Sequence, residues 1–351
     1  MIKYLGSKRT LVPALGQIAS AVGASTALDM FTGTTRVAQE FKRRGIAVTC
    51  LDSATYSDIL ARCFIATDAR DVDACEVAEA LAHLSSLPGR PGYFTRTFCE
   101  ESRYVQPFNG ERIDSIRDCL RDEYASDPLY PVLLTALMLA TDRVDSTTGV
   151  QMAYLKQWAP RSYNPLDLRT PDLIPGFGRS VLGDAMSVVD ALPRVDLAYL
   201  DPPYNQHRYF TNYHVWETLV RWDSPEHYGV ACKRVDAREE ETRSVFNTKP
   251  GMPAALESLI CRVRADVVVV SYNDESWVRP DQISRWLRAA GHEEVGVLGF
   301  DRKRYVGAQI GIYNPAGDKV GQVNRLRNTE YVFVAGAADH VAAAVASPAV
   351  R

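Results

Sequence analysis

The stretch from Ala27 to Asp52 constrains the fold of this chain more than any other. Ala27-Leu28-Asp29-Met30-Phe31 is a short apolar run ending in Thr32-Gly33-Thr34-Thr35, and a helical stretch from Arg36 to Arg44 follows, closed by Gly45. Ile46 to Leu51 is a second buried strand, ended by Asp52. Two strands joined by one helix over so short a span form a βαβ unit, whose strands are parallel and whose crossover is right-handed. The same rhythm returns at Val195 to Leu200 and at Asp266 to Ser271, whose core Val267-Val268-Val269-Val270 reads as a strand buried on both faces. Runs at 294–300, 305–313 and 330–335 extend the sheet, and 10–22 reads as a helix.

Between these segments the pattern changes. Helical stretches near 72–85, 112–125 and 128–144 are separated by 86–111 and 156–180, which are rich in Pro, Gly, Arg and aromatics. The expected class is α/β: a core of 1–67 and 181–335 built on a mixed sheet with helices on both faces, a mainly helical insertion at 68–180, and a flexible, alanine-rich tail at 336–351. A length of 351 residues accommodates one large core with such an insertion.

Composition excludes more than it assigns. With 46% apolar and 24% charged residues the chain is neither fibrous nor disordered. Its seven cysteines include no CxxC pair and no histidine at zinc-ligand spacing, so reduced thiols, a cytoplasmic location and no metal are expected. No apolar run approaches the roughly 18 residues of a membrane span, and no apolar signal core follows Met1. The formal charge of −3 gives no global attraction to a polyanion. Any nucleic-acid contact must therefore come from local basic groups: Lys3, Lys8 and Arg9; Lys42 to Arg44; Arg302, Lys303 and Arg304; Arg325 and Arg327. Each could equally be a solvated face.

Ligands of an open α/β sheet bind beyond the carboxyl ends of its strands, and three aspartates stand there: Asp29, Asp52 and Asp201. Gly33 permits a tight turn and close approach of backbone to a bound molecule, and an acid ending the second strand suits ribose hydroxyls. Asp201-Pro202-Pro203-Tyr204 is more specific. Consecutive prolines remove two backbone donors and fix φ, leaving a stiff loop of exposed carbonyls. The Asp201 carboxylate and the Pro202 carbonyl can grip the two N–H bonds of an exocyclic amine, while Tyr204 offers a stacking face for a base. Two such acceptors would make a delocalised amine nitrogen more pyramidal and more nucleophilic. Downstream, Arg208, Tyr209, Asn212, Tyr213, His214 and Trp216 form a polar-aromatic mixture suited to a distorted strand, or to a helix packed on the core.

These motifs, in this order, resemble the Dam-like DNA adenine-N6 methyltransferases, including the modification enzymes of type II restriction systems. Lys3-Tyr4-Leu5-Gly6-Ser7-Lys8 resembles their N-terminal motif, which implies Tyr4, Gly6, Ser7 and Lys8 as cofactor-binding residues. Asp29 to Thr35 resembles the loop around the methionine part of the cofactor and adds Asp29, Phe31 and Gly33; the family's last glycine is Thr35 here. Asp52 matches the acidic ribose ligand, Gly183-Asp184 the step beside the cofactor adenine, and Ser271-Tyr272-Asn273 a motif that shapes the target-base pocket. The run Tyr199 to Tyr204 matches the catalytic motif, which implies Asp201, Pro202, Pro203 and Tyr204 as catalytic, with Asp201 also beside the cofactor. The resemblance spans 3–67 and 181–335; 68–180 matches no named motif.

The resemblance implies a Rossmann-like methyltransferase fold, S-adenosyl-L-methionine as methyl donor, and double-stranded DNA as substrate, with the target adenine extruded from the duplex because its amine is inaccessible in the stack. Arg9, Arg208, Tyr209, Asn212, Arg302, Lys303 and Arg304 are the candidate DNA contacts, and 68–180 the candidate target-recognition region. It also implies a cognate restriction endonuclease as partner, and either a monomer or a dimer. Cytosine-N4 methylation and a non-catalytic DNA-binding regulator remain open alternatives. The aspartate at position 201, where serine is common in cytosine-N4 enzymes, favours adenine. A nicotinamide-dependent dehydrogenase is disfavoured because no Gly-x-Gly-x-x-Gly follows the first strand.

Overall fold

A computed structural model describes the chain except residues 1, 5–7, 204, 205, 207, 275, 304–311, 314–318, 322–326 and 348–351; for 302, 303, 312, 313, 319–321 and 327 it describes backbone alone. The described chain divides into two compact units, one of Met1–Tyr4, Thr32–Asp184 and His207–Ser244, the other of Leu5–Phe31, Ala185–Gln206 and Val245–Arg351.

Among the described residues, five strands form the main sheet of the second unit. β1 (Thr26–Asp29) runs parallel to β4 (Val195–Leu200), and β4 parallel to β5 (Ala265–Asn273). β7 (Arg327–Gly336) is antiparallel to β5 on one side and to β6 (Glu294–Lys303) on the other. The register sets Asp29 level with Tyr199 and Leu200 level with Val270, so the residues that leave β1, β4 and β5 emerge at the same end of the sheet. Val267 to Val270 are buried, as expected of a central parallel strand. Helix α1 (Val12–Ala21) packs with α10 (Ala338–Ala346), and α8 (Met252–Arg262) with α9 (Pro280–Ala289). A helix therefore stands where the sequence suggests a frayed tail: Val341 and Ala344, spaced i and i+3, are buried, and Gly296 on β6 leaves room for Val341 and Val345.

In the first unit β2 (Ala47–Asp52) pairs in parallel with β3 (Gly178–Leu182), Asp52 level with Leu182. β3 begins inside the stretch read as insertion. Its sequence, Gly-Arg-Ser-Val-Leu, lacks an apolar run and is half exposed, so periodicity does not reveal it. Around the pair lie α2 (Arg36–Arg43), α3 (Thr55–Ala61) running into a π-helical turn at Arg62–Ala66, α4 (Ala74–Ser86), α5 (Pro107–Glu123), α6 (Tyr130–Val144) and α7 (His214–Arg221).

Buried polar groups pin this unit together. The Lys42 ammonium donates to the carbonyls of Ile65 (2.8 Å), Thr67 (2.7 Å) and Phe64 (3.2 Å), closing the end of the π-helical turn; it is a core group, not a phosphate contact. Asp114 accepts from the backbone N–H of Gly92, Phe94 and Thr95 and from the Thr95 hydroxyl, capping the helical turn that includes Thr95–Glu101. Helix α7 is held at both ends from the 68–180 region. The Gln151 side-chain oxygen accepts from Val215 N (3.0 Å) and Trp216 N (3.3 Å), and Arg117 donates to the carbonyls of Leu219 and Val220, 2.8 Å each.

Candidate active site

In the first unit the candidate residues gather around the end of β2. The Asp52 carboxylate accepts from Gly33 N (2.8 Å) through Oδ2 and from Ala54 N (3.0 Å) through Oδ1. These contacts fix the carboxylate at the carboxyl end of β2, the place where an acid suits ribose hydroxyls. Enclosure pushes the Asp52 pKa up while these N–H groups oppose the shift. Gly33 has φ of +51°, and a Cβ there would lie 3.2 Å from the Tyr4 ring: glycine is needed both for the turn and for the close approach. The Gly33 carbonyl accepts from Ser57 Oγ at 2.6 Å.

Tyr4 stacks on Tyr213 with ring centroids 4.6 Å apart and on Tyr209 at 5.4 Å, and its hydroxyl lies 3.2 Å from that of Tyr56. Lys3, its neighbour, is held by Asp142 (3.0 Å) and Asp145 (3.2 Å). Gly183 N donates to the Asp52 carbonyl at 2.9 Å, so exposed Asp184 follows β3 beside the end of β2.

Thr35 departs from the family pattern, and the structure shows its consequence. It has φ of +63°, in the left-handed region that a β-branched residue rarely adopts, and it is fully buried. Its hydroxyl donates to the Thr34 carbonyl (2.7 Å) and accepts from Gln39 Nε2 (2.8 Å), which holds the turn that glycine would adopt unaided. Thr35→Gly is therefore expected to be more stable than Thr35→Ala by about 1 kcal/mol, the reverse of the usual order, because both lose the hydroxyl and alanine alone keeps the left-handed penalty. Urea unfolding of both variants checks this.

In the second unit Asp201 and Pro202 follow directly from β4, with Asp29 at the end of β1; Met30 N donates to the Tyr199 carbonyl at 3.1 Å. Asp29 is buried, Pro202 is buried, and Pro203 is partly exposed. Lys8, 5% exposed, places its ammonium 2.8 Å from Asp201 Oδ1 and in contact with the buried carboxylate of Glu330 on β7. The sequence does not single out Glu330. The Tyr199 hydroxyl donates to Ser271 Oγ at 2.9 Å, which ties the strand before Asp201-Pro202 to the Ser271-Tyr272-Asn273 stretch that ends β5. Phe31 lies edge-on to Phe246, centroids 5.1 Å apart.

Gly6, Ser7, Tyr204 and Arg304 lie outside the described residues, and the side chains of Arg302 and Lys303 are likewise not described. Arg9 is exposed and Arg208 partly so. Asn212 is corrected: it is 4% exposed, so its side chain has no surface to offer a phosphate. Tyr209 stacks on Tyr4, within the first unit's aromatic cluster. His214 is fully buried, its Nε2 2.9 Å from the Gln151 carbonyl, and burial pulls its pKa down to about 3, so it is a neutral core residue. Although composition points to no metal, two groups in the first unit bring His, Cys and Glu donors close enough for one ion: His83 with Cys119 and Glu123, and Glu101 with His227 and Cys232. Neither includes a residue of the candidate site. Among the described residues no helix is long and apolar enough to cross a membrane.

Residues 4–283 match the family described as D12 class N6 adenine-specific DNA methyltransferase. The chain is 30% identical over 298 residues to type II methyltransferase M.NlaIII of Neisseria lactamica, covering 80% of this chain and 86% of that protein. It is 25% identical to modification methylase StsI of Streptococcus sanguinis, over 82% of this chain and 46% of the relative. Against type II methyltransferase M.FokI of Planomicrobium okeanokoites it is 27% identical, over 84% and 48%. The chain thus spans most of the first relative and about half the length of the other two. It belongs to the D12 class of N6 adenine-specific DNA methyltransferases.

Proposed function

We propose that this chain transfers a methyl group from S-adenosylmethionine to the N6 amine of adenine at one short sequence in duplex DNA, acting on a base extruded from the helix. The observation that carries the reading is the exit from β4: a carboxylate, then a buried proline, with Asp201 fixed by the Lys8 ammonium at 2.8 Å. A stiff pair of acceptors suits an amine whose lone pair must be drawn out of the ring.

S-adenosylmethionine supplies an electrophilic sulfonium methyl when bound. In the first unit, the Asp52 carboxylate at the end of β2 suits its ribose hydroxyls, and the ring of Tyr4 over Gly33 offers an apolar wall. In the second unit, Asp201 and the Pro202 carbonyl would accept the two N–H bonds of the target amine and direct its lone pair at that methyl. Tyr204 takes the stacking role. Arg9 and Arg208 are retained as backbone contacts, and the 68–180 region as the reader of sequence. A cognate restriction endonuclease is the expected partner.

The test is methylation of a plasmid in a host without other adenine methylation, followed by base-resolved mapping of the product. N6-methyladenine at one short sequence is expected; N4-methylcytosine, or an unmodified plasmid alongside abundant protein, would contradict the reading.

A further inference from the structure

Glu217 is completely buried on α7, yet it is a charged residue with no place in the catalytic motif. Its Oε1 accepts from Thr55 N and its Oε2 from Tyr56 N, 3.3 Å each, and Arg221 one turn on lies 2.9 Å from Oε1. Thr55 and Tyr56 open α3, where backbone N–H groups have no partner within the helix.

Three contacts leave that same short stretch for the candidate cofactor residues. Ala54 N donates to Asp52, the Tyr56 hydroxyl meets that of Tyr4, and Ser57 Oγ donates to the Gly33 carbonyl. A displacement of this turn would therefore move Asp52, Tyr4 and Gly33 together. All of these residues belong to the first unit.

We infer that Glu217 is a positioning residue for cofactor binding, its carboxylate holding the first turn of α3 so that Asp52, Tyr4 and Gly33 keep the geometry that grips the nucleoside. The inference rests on the assignment of those three residues to S-adenosylmethionine. Glu217 itself touches none of the reacting atoms.

The thermodynamics separate this role from plain stabilisation. Burial pushes the Glu217 pKa up, opposed by Arg221 and by the N–H groups of Thr55 and Tyr56. A carboxyl whose folded-state pKa lies above its unfolded value opposes folding once ionised: the penalty is absent below the unfolded pKa and complete above the folded one. A neutral isostere should therefore fold at least as well at neutral pH. Glutamine, however, puts an NH2 donor where glutamate has its second oxygen, so in the same position it meets one of the two N–H groups with a donor instead of an acceptor.

Calorimetric titration of the full chain with S-adenosylmethionine, beside thermal unfolding, tests the inference. Glu217→Gln is expected to weaken binding about tenfold, the equivalent of one charge-assisted hydrogen bond, with an unfolding midpoint equal to or above the parent's and with kcat at saturating cofactor within about threefold. Glu217→Ala should weaken binding at least as much, and Asp52→Ala should abolish it. A dissociation constant within twofold of the parent for Glu217→Gln, while Asp52→Ala abolishes binding, overturns the positioning role alone. Affinity and unfolding midpoint falling together in Glu217→Gln also overturns it, by assigning a structural role. Normal binding by Asp52→Ala overturns the ribose assignment beneath it.

Discussion

Asp201→Ala is expected to remain folded and to lose roughly a thousandfold or more in kcat, with a far smaller loss of affinity for S-adenosylmethionine. The expectation follows from where the carboxylate sits. It leaves β4 just before a buried proline, and Lys8 fixes one of its oxygens at 2.8 Å. An acceptor held this way needs no reorganisation as charge develops on the amine, and alanine leaves only the Pro202 carbonyl to hold the base. Single-turnover kinetics with excess enzyme separates this chemical defect from a defect in binding. A residual rate within tenfold of the parent would remove Asp201 from the mechanism.

The second large effect is on stability. Lys8→Met is expected to cost about 3–5 kcal/mol, because it withdraws the ammonium shared by Asp201 and Glu330 and leaves two carboxylates in a poorly solvated place. Adding Glu330→Gln to Lys8→Met should recover part of that loss, since one of the two charges then disappears. Urea unfolding of the parent, both single variants and the double variant measures the coupling. If Lys8→Met unfolds within 1 kcal/mol of the parent, the cluster is not the buried ion-pair network described above.

Residues with strong local constraints were the legible ones. Strands β1 and β2, the valine-rich central strand and the aspartates that end β1 and β2 could be recognised because strand length, glycine placement and apolar runs are local properties. Asp201-Pro202-Pro203 was legible for a similar reason, since the prolines restrict the backbone wherever the chain places them. β3 was not, because its pairing with β2 joins positions 130 residues apart, more than any local window spans.

Polar residues were least legible where composition suits two environments. Asn212 and His214 sit in a polar-aromatic stretch that reads as a nucleic-acid contact, but the fold turns both inward. Lys42 looks like part of a basic patch with Arg43 and Arg44, and only the carbonyls ending the π-helical turn explain its burial. Glu217 and Arg221 stand at i and i+4, a spacing that more often marks a solvated helix face. Nothing near them in sequence announces the N–H groups of Thr55 and Tyr56 that Glu217 serves. Glu330, on β7, meets Lys8 only through the fold.

The central claim is that this chain methylates the exocyclic amine of adenine in DNA through Asp201. Transfer of tritiated methyl from S-adenosylmethionine to mixed-sequence duplex DNA, followed by nucleoside analysis, tests it most directly. Label in N6-methyladenine is expected with the parent protein, and a rate at least a thousandfold lower with Asp201→Ala. Label in N4-methylcytosine, or DNA left unlabelled by a parent protein that binds the cofactor, would contradict it.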